Sequence, residues 1–173
     1  MQLALKTQLQ HLNASTYLVA VSGGLDSMLL LTILKSLKAP ICALHVNYRL
    51  RGEDSELDTQ LVEAFCQQQH IKLHKYCVSE AEQKALKAAN LQAKAREIRY
   101  AFFNEIRQQY PNSVVCTAQH GDDQIETFWL QLNRGAGMKG LAGMQVLSNQ
   151  VFRPFLKWHK QDIMRAAEEL DLK

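Results

Sequence analysis

Hydrophobic positions follow two alternating rhythms along the chain. Tyr17-Leu18-Val19-Ala20-Val21, Ile41-Cys42-Ala43-Leu44-His45-Val46 and Ser113-Val114-Val115-Cys116-Thr117-Ala118 are short, nearly continuous apolar runs rich in β formers. Such runs read as strands buried on both faces. Lys72 to Val78 alternates more and predicts a weaker strand. Between these runs the spacing turns helical. Ser27 to Leu37 is one such segment. In Asp54 to Gln69, Leu57, Leu61, Ala64 and Phe65 share a face. In Asn90 to Gln109, Leu91, Ala95, Ile98, Phe102 and Ile106 do so, and Asn90 suits an N-cap. Asp122 to Leu132 and His159 to Leu170 complete the helices, with a short strand expected at Gln150 to Phe152.

Strand and helix therefore alternate four times before that last short strand and final helix. Alternation of this kind predicts an α/β fold, a parallel sheet with helices on both faces in three layers. Ligands bind such sheets beyond the carboxyl ends of the strands. No internal repeat or low-complexity tract interrupts the pattern, so residues 1–173 read as a single domain. The chain stops inside or just after a helix, at Asp171-Leu172-Lys173, so a fragment of a longer protein is expected.

Composition narrows the class without choosing a function. At 47% hydrophobic and 21% charged, the chain falls outside disordered and fibrous classes. A net charge of +3 is too small to name a partner. Cys42, Cys66, Cys77 and Cys116 form no CxxC pair and match no zinc spacing, and three of them lie in apolar runs. The N-terminus lacks a signal-peptide core, and the longest apolar stretch, near Met28 to Leu34, is too short to span a membrane. A cytoplasmic location is the expectation.

The chemistry begins where the first strand ends. Ser22-Gly23-Gly24-Leu25-Asp26-Ser27 joins that strand to a helix. Two adjacent glycines allow a sharp turn and close approach to an anion, and the helix that follows aims free N–H groups at it. Ser22 and Ser27 add hydroxyl donors. Asp26 fits a phosphate pocket only with a cation, which Mg²⁺-ATP supplies. The loop is neither GxxxxGK[ST] nor GxGxxG, so γ-phosphate transfer and dinucleotide binding are disfavoured.

Ser22 to Ser27 resembles the SGGxDS signature of the PP-loop ATP pyrophosphatases, which cleave ATP between its α and β phosphates and form an adenylated intermediate. Three further segments follow in order. They are His45-Val46-Asn47-Tyr48-Arg49-Leu50-Arg51-Gly52-Glu53-Asp54-Ser55, then Asn90-Leu91-Gln92-Ala93-Lys94-Ala95-Arg96-Glu97-Ile98-Arg99-Tyr100, and then Thr117 to Thr127 continuing to Arg134-Gly135-Ala136-Gly137-Met138-Lys139-Gly140-Leu141. Together they resemble the N-terminal catalytic domain of the tRNA(Ile)-lysidine synthetases, over about Val19 to Phe155. That family continues with C-terminal helical domains, so this chain is expected to be a fragment without them.

The resemblance implies a Rossmann-like PP-loop fold and a carbon–nitrogen ligase. Such an enzyme joins free lysine to C2 of the wobble cytidine in a tRNA(Ile) with a CAU anticodon. It does so through an adenylated cytidine, and codon reading changes from AUG to AUA. ATP and Mg²⁺ are the implied cofactors, without a membrane partner, and a homodimer is admitted for the full-length protein. ATP falls to Ser22, Gly23, Gly24, Leu25, Asp26, Ser27 and His45. The catalytic set is Asp26, His120, Asp122, Asp123, Arg96 and Arg99, with Mg²⁺ on Asp26 and Asp123. Arg134 and Lys139 lie in a basic, glycine-rich stretch that suits tRNA backbone or substrate contact and, nearly as well, a simple flexible crossover, and Tyr48 is placed to stack on a base. By local sequence alone, Asp122 and Asp123 equally suit helix capping. Arg96 and Arg99 equally suit a solvated face. Trp129 reads as core. Competing functions stay open: a tRNA thiolase, which needs reactive thiols, another adenylating synthetase of the same fold acting on a small molecule, or a non-catalytic nucleotide-binding module.

Overall fold

The computed structural model describes residues 1–88, 90–135, 137 and 142–172. The elements are α1 (Gln2–Leu12), β1 (Thr16–Ala20), α2 (Leu25–Ser36), β2 (Ile41–Asn47), α3 (Glu53–Gln68), β3 (Lys72–Cys77), α4 (Glu80–Ala88) and α5 (Leu91–Gln108). They continue with β4 (Ser113–Cys116), α6 (Gly121–Asn133), β5 (Leu147–Ser148), β6 (Val151–Phe152) and α7 (Lys160–Glu169). The strands form one sheet in the order β3-β2-β1-β4-β6-β5. Every pairing is parallel except β5 with β6. That antiparallel edge hairpin was not expected. Two positive-φ residues, Asn149 and Gln150, turn it, a backbone that a two-residue hairpin requires.

The strand runs are apolar throughout because both faces are covered. Tyr17, Val19 and Val21 point into one layer with α1, α2, α3 and α7. Leu18 points into the other, with Phe102, Phe103 and Ile106 of α5. Chain direction explains the division. From β1 to β3 the chain advances one way across the sheet, and its crossovers α2 and α3 share a face. The return from β3 to β4 places α5 on the opposite face, as right-handed crossovers demand. β1 and β4 are thus the neighbours from which the chain departs in opposite senses, and a crevice opens at that point.

Two packing expectations need correction. In α3 the buried positions are Ser55, Thr59, Val62 and Cys66, while Leu57 and Leu61 are exposed. The buried stripe lies one step round the helix because Thr59 is bonded to His45 beneath it. Trp129 is 56% exposed, since α6 buries none of its residues. Two helices, α1 and α4, lay outside the expected pattern, although Leu5 and Leu9 of α1 share one helical face and are buried.

Candidate active site

The crevice between β1 and β4 is a cleft of about 280 Å³. Ser22, Gly24, Asp26 and Ser27 form one wall and Thr117 to Gln119 another, while Arg96, Arg99 and Tyr48 close it from above. Segments far apart in sequence therefore meet at the place expected for a ligand.

The Ser22–Ser27 loop is held by its own hydroxyls. Ser27 Oγ donates to Gly24 O (2.8 Å) and accepts from Ser22 N (3.1 Å). Ser22 Oγ accepts from Gly24 N (3.3 Å). Ser27 is buried, so its hydroxyl shapes the loop before any ligand arrives. The N–H groups of Gly23, Leu25 and Asp26 donate to no described residue. They are the free donors of a helix start, where an anion is stabilised. Gly23 has φ +93°, and a Cβ there would sit 2.9 Å from Asp58 Cβ.

His45, expected to touch ATP, lies behind the loop. It is 2% exposed. Its Nδ1–H donates to Val21 O (2.8 Å), and its Nε2 bonds the Thr59 hydroxyl (2.9 Å). Both ring nitrogens are thereby committed to pinning the end of β1 to α3. Asn47 braces the next turn, donating to Glu56 Oε1 (3.0 Å) and accepting from Arg49 N (2.8 Å).

The acidic group divides into separate tasks. Asp26 pairs with Lys160 at the start of α7, a partner 134 residues away. Asp123 lines the cleft and accepts from His120 N (2.7 Å), so it caps α6 as well. Asp122 turns outward, accepting from Lys160 N (2.6 Å) with His159 Nδ1 at 3.4 Å. Glu126 is exposed and joins neither aspartate. His120 is buried, with Nε2 3.6 Å from Asp26 and Nδ1 3.6 Å from both Asp122 and Asp123. Its Nδ1 has no hydrogen-bond partner. Gly121 lets α6 start against Trp158, whose carbonyl accepts from Gly121 N (2.7 Å). A Cβ there would meet that same oxygen at 3.0 Å.

The hydrogen bond from Lys160 N, helped by His159, holds the Asp122 carboxyl below its ordinary value of 3.8. A depressed folded pKa means stability that is complete above the unfolded value and lost as pH falls through the folded one. Asp122→Asn is therefore expected to lower the urea midpoint at neutral pH, with the difference closing as pH falls through the depressed value of the Asp122 carboxyl. A constant difference across that range would remove Asp122 from the link between α6 and α7.

Arg96 stacks over Tyr100 at 4.7 Å. Arg99 Nε donates to Tyr48 Oη (3.0 Å), which itself donates to Ala95 O (3.1 Å). Both arginines are exposed and pair with no carboxylate among the described residues, so their charge is available to the cleft. Tyr48 is fixed by these bonds at the rim. Arg134 is exposed at the end of α6 and does not line the cleft, while Lys139 lies outside the described residues. Lys160 was not among the expected site residues, since nothing local in the sequence ties it to Asp26. Arg153 is 5% exposed.

Among the described residues no three His, Cys, Asp or Glu side chains form a metal-holding group. Two carboxylates, Asp26 and Asp123, line the cleft. That donor set suits Mg²⁺, which binds one or two carboxylates together with substrate phosphates.

The PP-loop domain family matches residues 1–173. The chain belongs to that family. A curated tRNA(Ile)-lysidine synthase of Bacillus subtilis (strain 168) is 38% identical over 165 residues, covering 91% of this chain and 35% of the relative. One from Bacteroides thetaiotaomicron is 35% identical over 153 residues, covering 88% of this chain and 36% of the relative. The chain thus spans about a third of the length of these relatives. Among solved structures, the U34-tRNA thiolase NcsA from Methanococcus maripaludis, with its iron–sulfur cluster, superposes at TM-score 0.74 with 19% identity, covering 99% of this chain and 62% of that one. The NH3-dependent NAD synthetase from Campylobacter jejuni superposes at 0.65, again with 19% identity, covering 99% and 70%. These superpositions establish the fold.

The thiols of this PP-loop domain are dispersed. Cys42, Cys66 and Cys116 are buried and Cys77 is exposed. Burial pushes the Cys66 thiol up to about 11 and raises that of Cys116 further. Neither is a nucleophile near neutrality. Iodoacetamide is expected to label one thiol, Cys77, in the native chain and all four in urea, read by mass spectrometry. Rapid native labelling of a second cysteine would contradict this burial. Among the described residues no helix is long and apolar enough to cross a membrane.

Proposed function

We propose that this chain is the ATP-binding catalytic part of a cytoplasmic tRNA(Ile)-lysidine synthetase. The observation that carries the reading is the cleft itself: an anion-binding helix start, Asp26 and Asp123, and unpaired Arg96 and Arg99 around one space. In the reaction, the C2 carbonyl oxygen of cytidine attacks the α-phosphorus of ATP and pyrophosphate leaves. The oxygen is then part of AMP, a good leaving group. The ε-amine of lysine attacks C2, loses a proton, and AMP departs. The free N–H groups of Gly23, Leu25 and Asp26 hold the departing pyrophosphate, and Arg96 and Arg99 offset charge developing on the phosphates. Mg²⁺ held by Asp26 and Asp123 would neutralise ATP oxygens. His120, with three carboxylates around it, is our candidate for the base that takes the amine's proton. Lysidine at the wobble position would move codon reading from AUG to AUA.

The ATP and tRNA halves of this reading separate in solution. The loop Ser22–Ser27, Asp26, Asp123, Arg96 and Arg99 line one cleft in this chain, so measurable Mg²⁺-ATP binding is expected by calorimetry. Phosphate contacts dominate RNA affinity, and a +3 chain is expected to hold tRNA(Ile) weakly, with strong salt dependence and little lysidine formed. Arg96→Ala and Arg99→Ala are expected to weaken ligand binding while changing stability by less than about 1 kcal/mol. Absence of ATP binding, or variants that lose folding and keep normal affinity, would reject the reading. A product nucleoside mass showing sulfur in place of lysine would assign the chain to the thiolases.

A further inference from the structure

Beyond Arg96, Tyr100 and Phe103, which it shares with the nucleotide cleft, lies a second cavity of about 550 Å³. One face of α5 forms one side, and the β5–β6 hairpin with Arg153 forms the other. Arg153 is nearly buried, yet all its partners are neutral. Its Nε donates to Gln119 Oε1 (2.8 Å), and its Nη1 to Gln145 O (3.1 Å) and Ser148 Oγ (3.0 Å). No carboxylate among the described residues pairs with it, and its Nη2 donates to none of them. Arg107, on the same cavity, has a buried Nε without a partner. A buried cation without a counter-ion is costly, and here two guanidiniums with unmet donors border one space.

We propose that this cavity binds the amino-acid substrate through its α-carboxylate, held by Arg153 with Arg107 as second donor. The inference rests on the reading of the chain as an amino-acid-ligating enzyme. Guanidinium pairs with carboxylate through parallel hydrogen bonds. Glu97 is the one acidic side chain on the cavity. Its pair with Lys94 is exposed and can yield to an α-ammonium. Phe103, Val115 and Val151 give an apolar floor for methylene groups. The wall shared with the cleft lets the far end of an extended side chain reach the nucleotide. An RNA phosphate suits the space less well, because it carries no ammonium to offset Glu97 and because Arg153 is buried.

The test is a titration of this chain, followed by amide NMR shifts, with L-lysine, with 1,5-diaminopentane, which lacks the carboxylate, and with inorganic phosphate. L-lysine is expected to shift the β5–β6 hairpin and α5, and the diamine to bind at least about tenfold more weakly. Arg153→Gln and Arg107→Gln are each expected to weaken L-lysine by a similar factor, with an ATP titration as the control for folding. Arg107 sits on a helix surface, so its variant remains informative if Arg153→Gln unfolds. Equal binding of lysine and diamine, lysine affinity unmoved by Arg107→Gln, or phosphate binding in the cavity without lysine would each overturn the proposal. If a panel of amino acids shows another binding through its carboxylate there and lysine not, the cavity assignment stands and the lysine-ligating reading falls.

Discussion

Replacing Gly23 by alanine is expected to damage both folding and nucleotide binding. The backbone at φ +93° is one that L side chains rarely adopt, and the added Cβ would stand 2.9 Å from Asp58 Cβ. That neighbour is close to its own backbone and cannot swing away as a flexible side-chain end could. Asp58 is further held by its pair with Arg51. Strain of this kind costs about 1–3 kcal/mol, which for a chain of this size lowers Tm by roughly 2–12 °C. If the loop moves to relieve it, the N–H groups of Gly23, Leu25 and Asp26 no longer converge. ATP affinity is then expected to fall by at least about tenfold. Gly24 supplies the contrast, since its φ is −74° and a Cβ there would meet only Ser22 Oγ, at 3.5 Å. Gly24→Ala is expected to melt near the wild-type temperature. Equal melting of the two variants in a thermal scan would remove the strain argument.

Asp26→Asn is expected to leave the fold and remove the cation's effect on ATP. The side chain is partly exposed and its pair with Lys160 is half in solvent, so stability changes by less than about 1 kcal/mol. Asparagine keeps the shape but loses the charge that a divalent cation requires. With Mg²⁺ present, ATP affinity is expected to drop by at least about tenfold, and in EDTA to match wild type. In an assembled enzyme the adenylation rate would fall by about 10²–10³-fold. A Mg²⁺ dependence of ATP binding that survives in the variant would move the metal away from Asp26.

The sequence by itself determined the parallel part of the sheet, the place of the loop on it and the family. Apolar runs such as Tyr17 to Val21 can be buried only if both faces are covered, and that requirement, with alternating helices, leaves a parallel sheet. Ser22 to Ser27 follows the first strand directly, so its position at the carboxyl edge came with the pattern. The distant contacts are another matter. Lys160 finds Asp26 across 134 residues, Arg153 is drawn beneath Gln119, and His45 pins Val21 to Thr59. Asp122 and Asp123 are adjacent in sequence, yet one faces α7 and the other the cleft. Helical and strand periodicities report which side of an element is apolar, because burial acts on each element separately. Which polar group meets which depends on how the elements are arranged in space, so only the tertiary structure decided the partners of the charges and therefore the division of labour in the site.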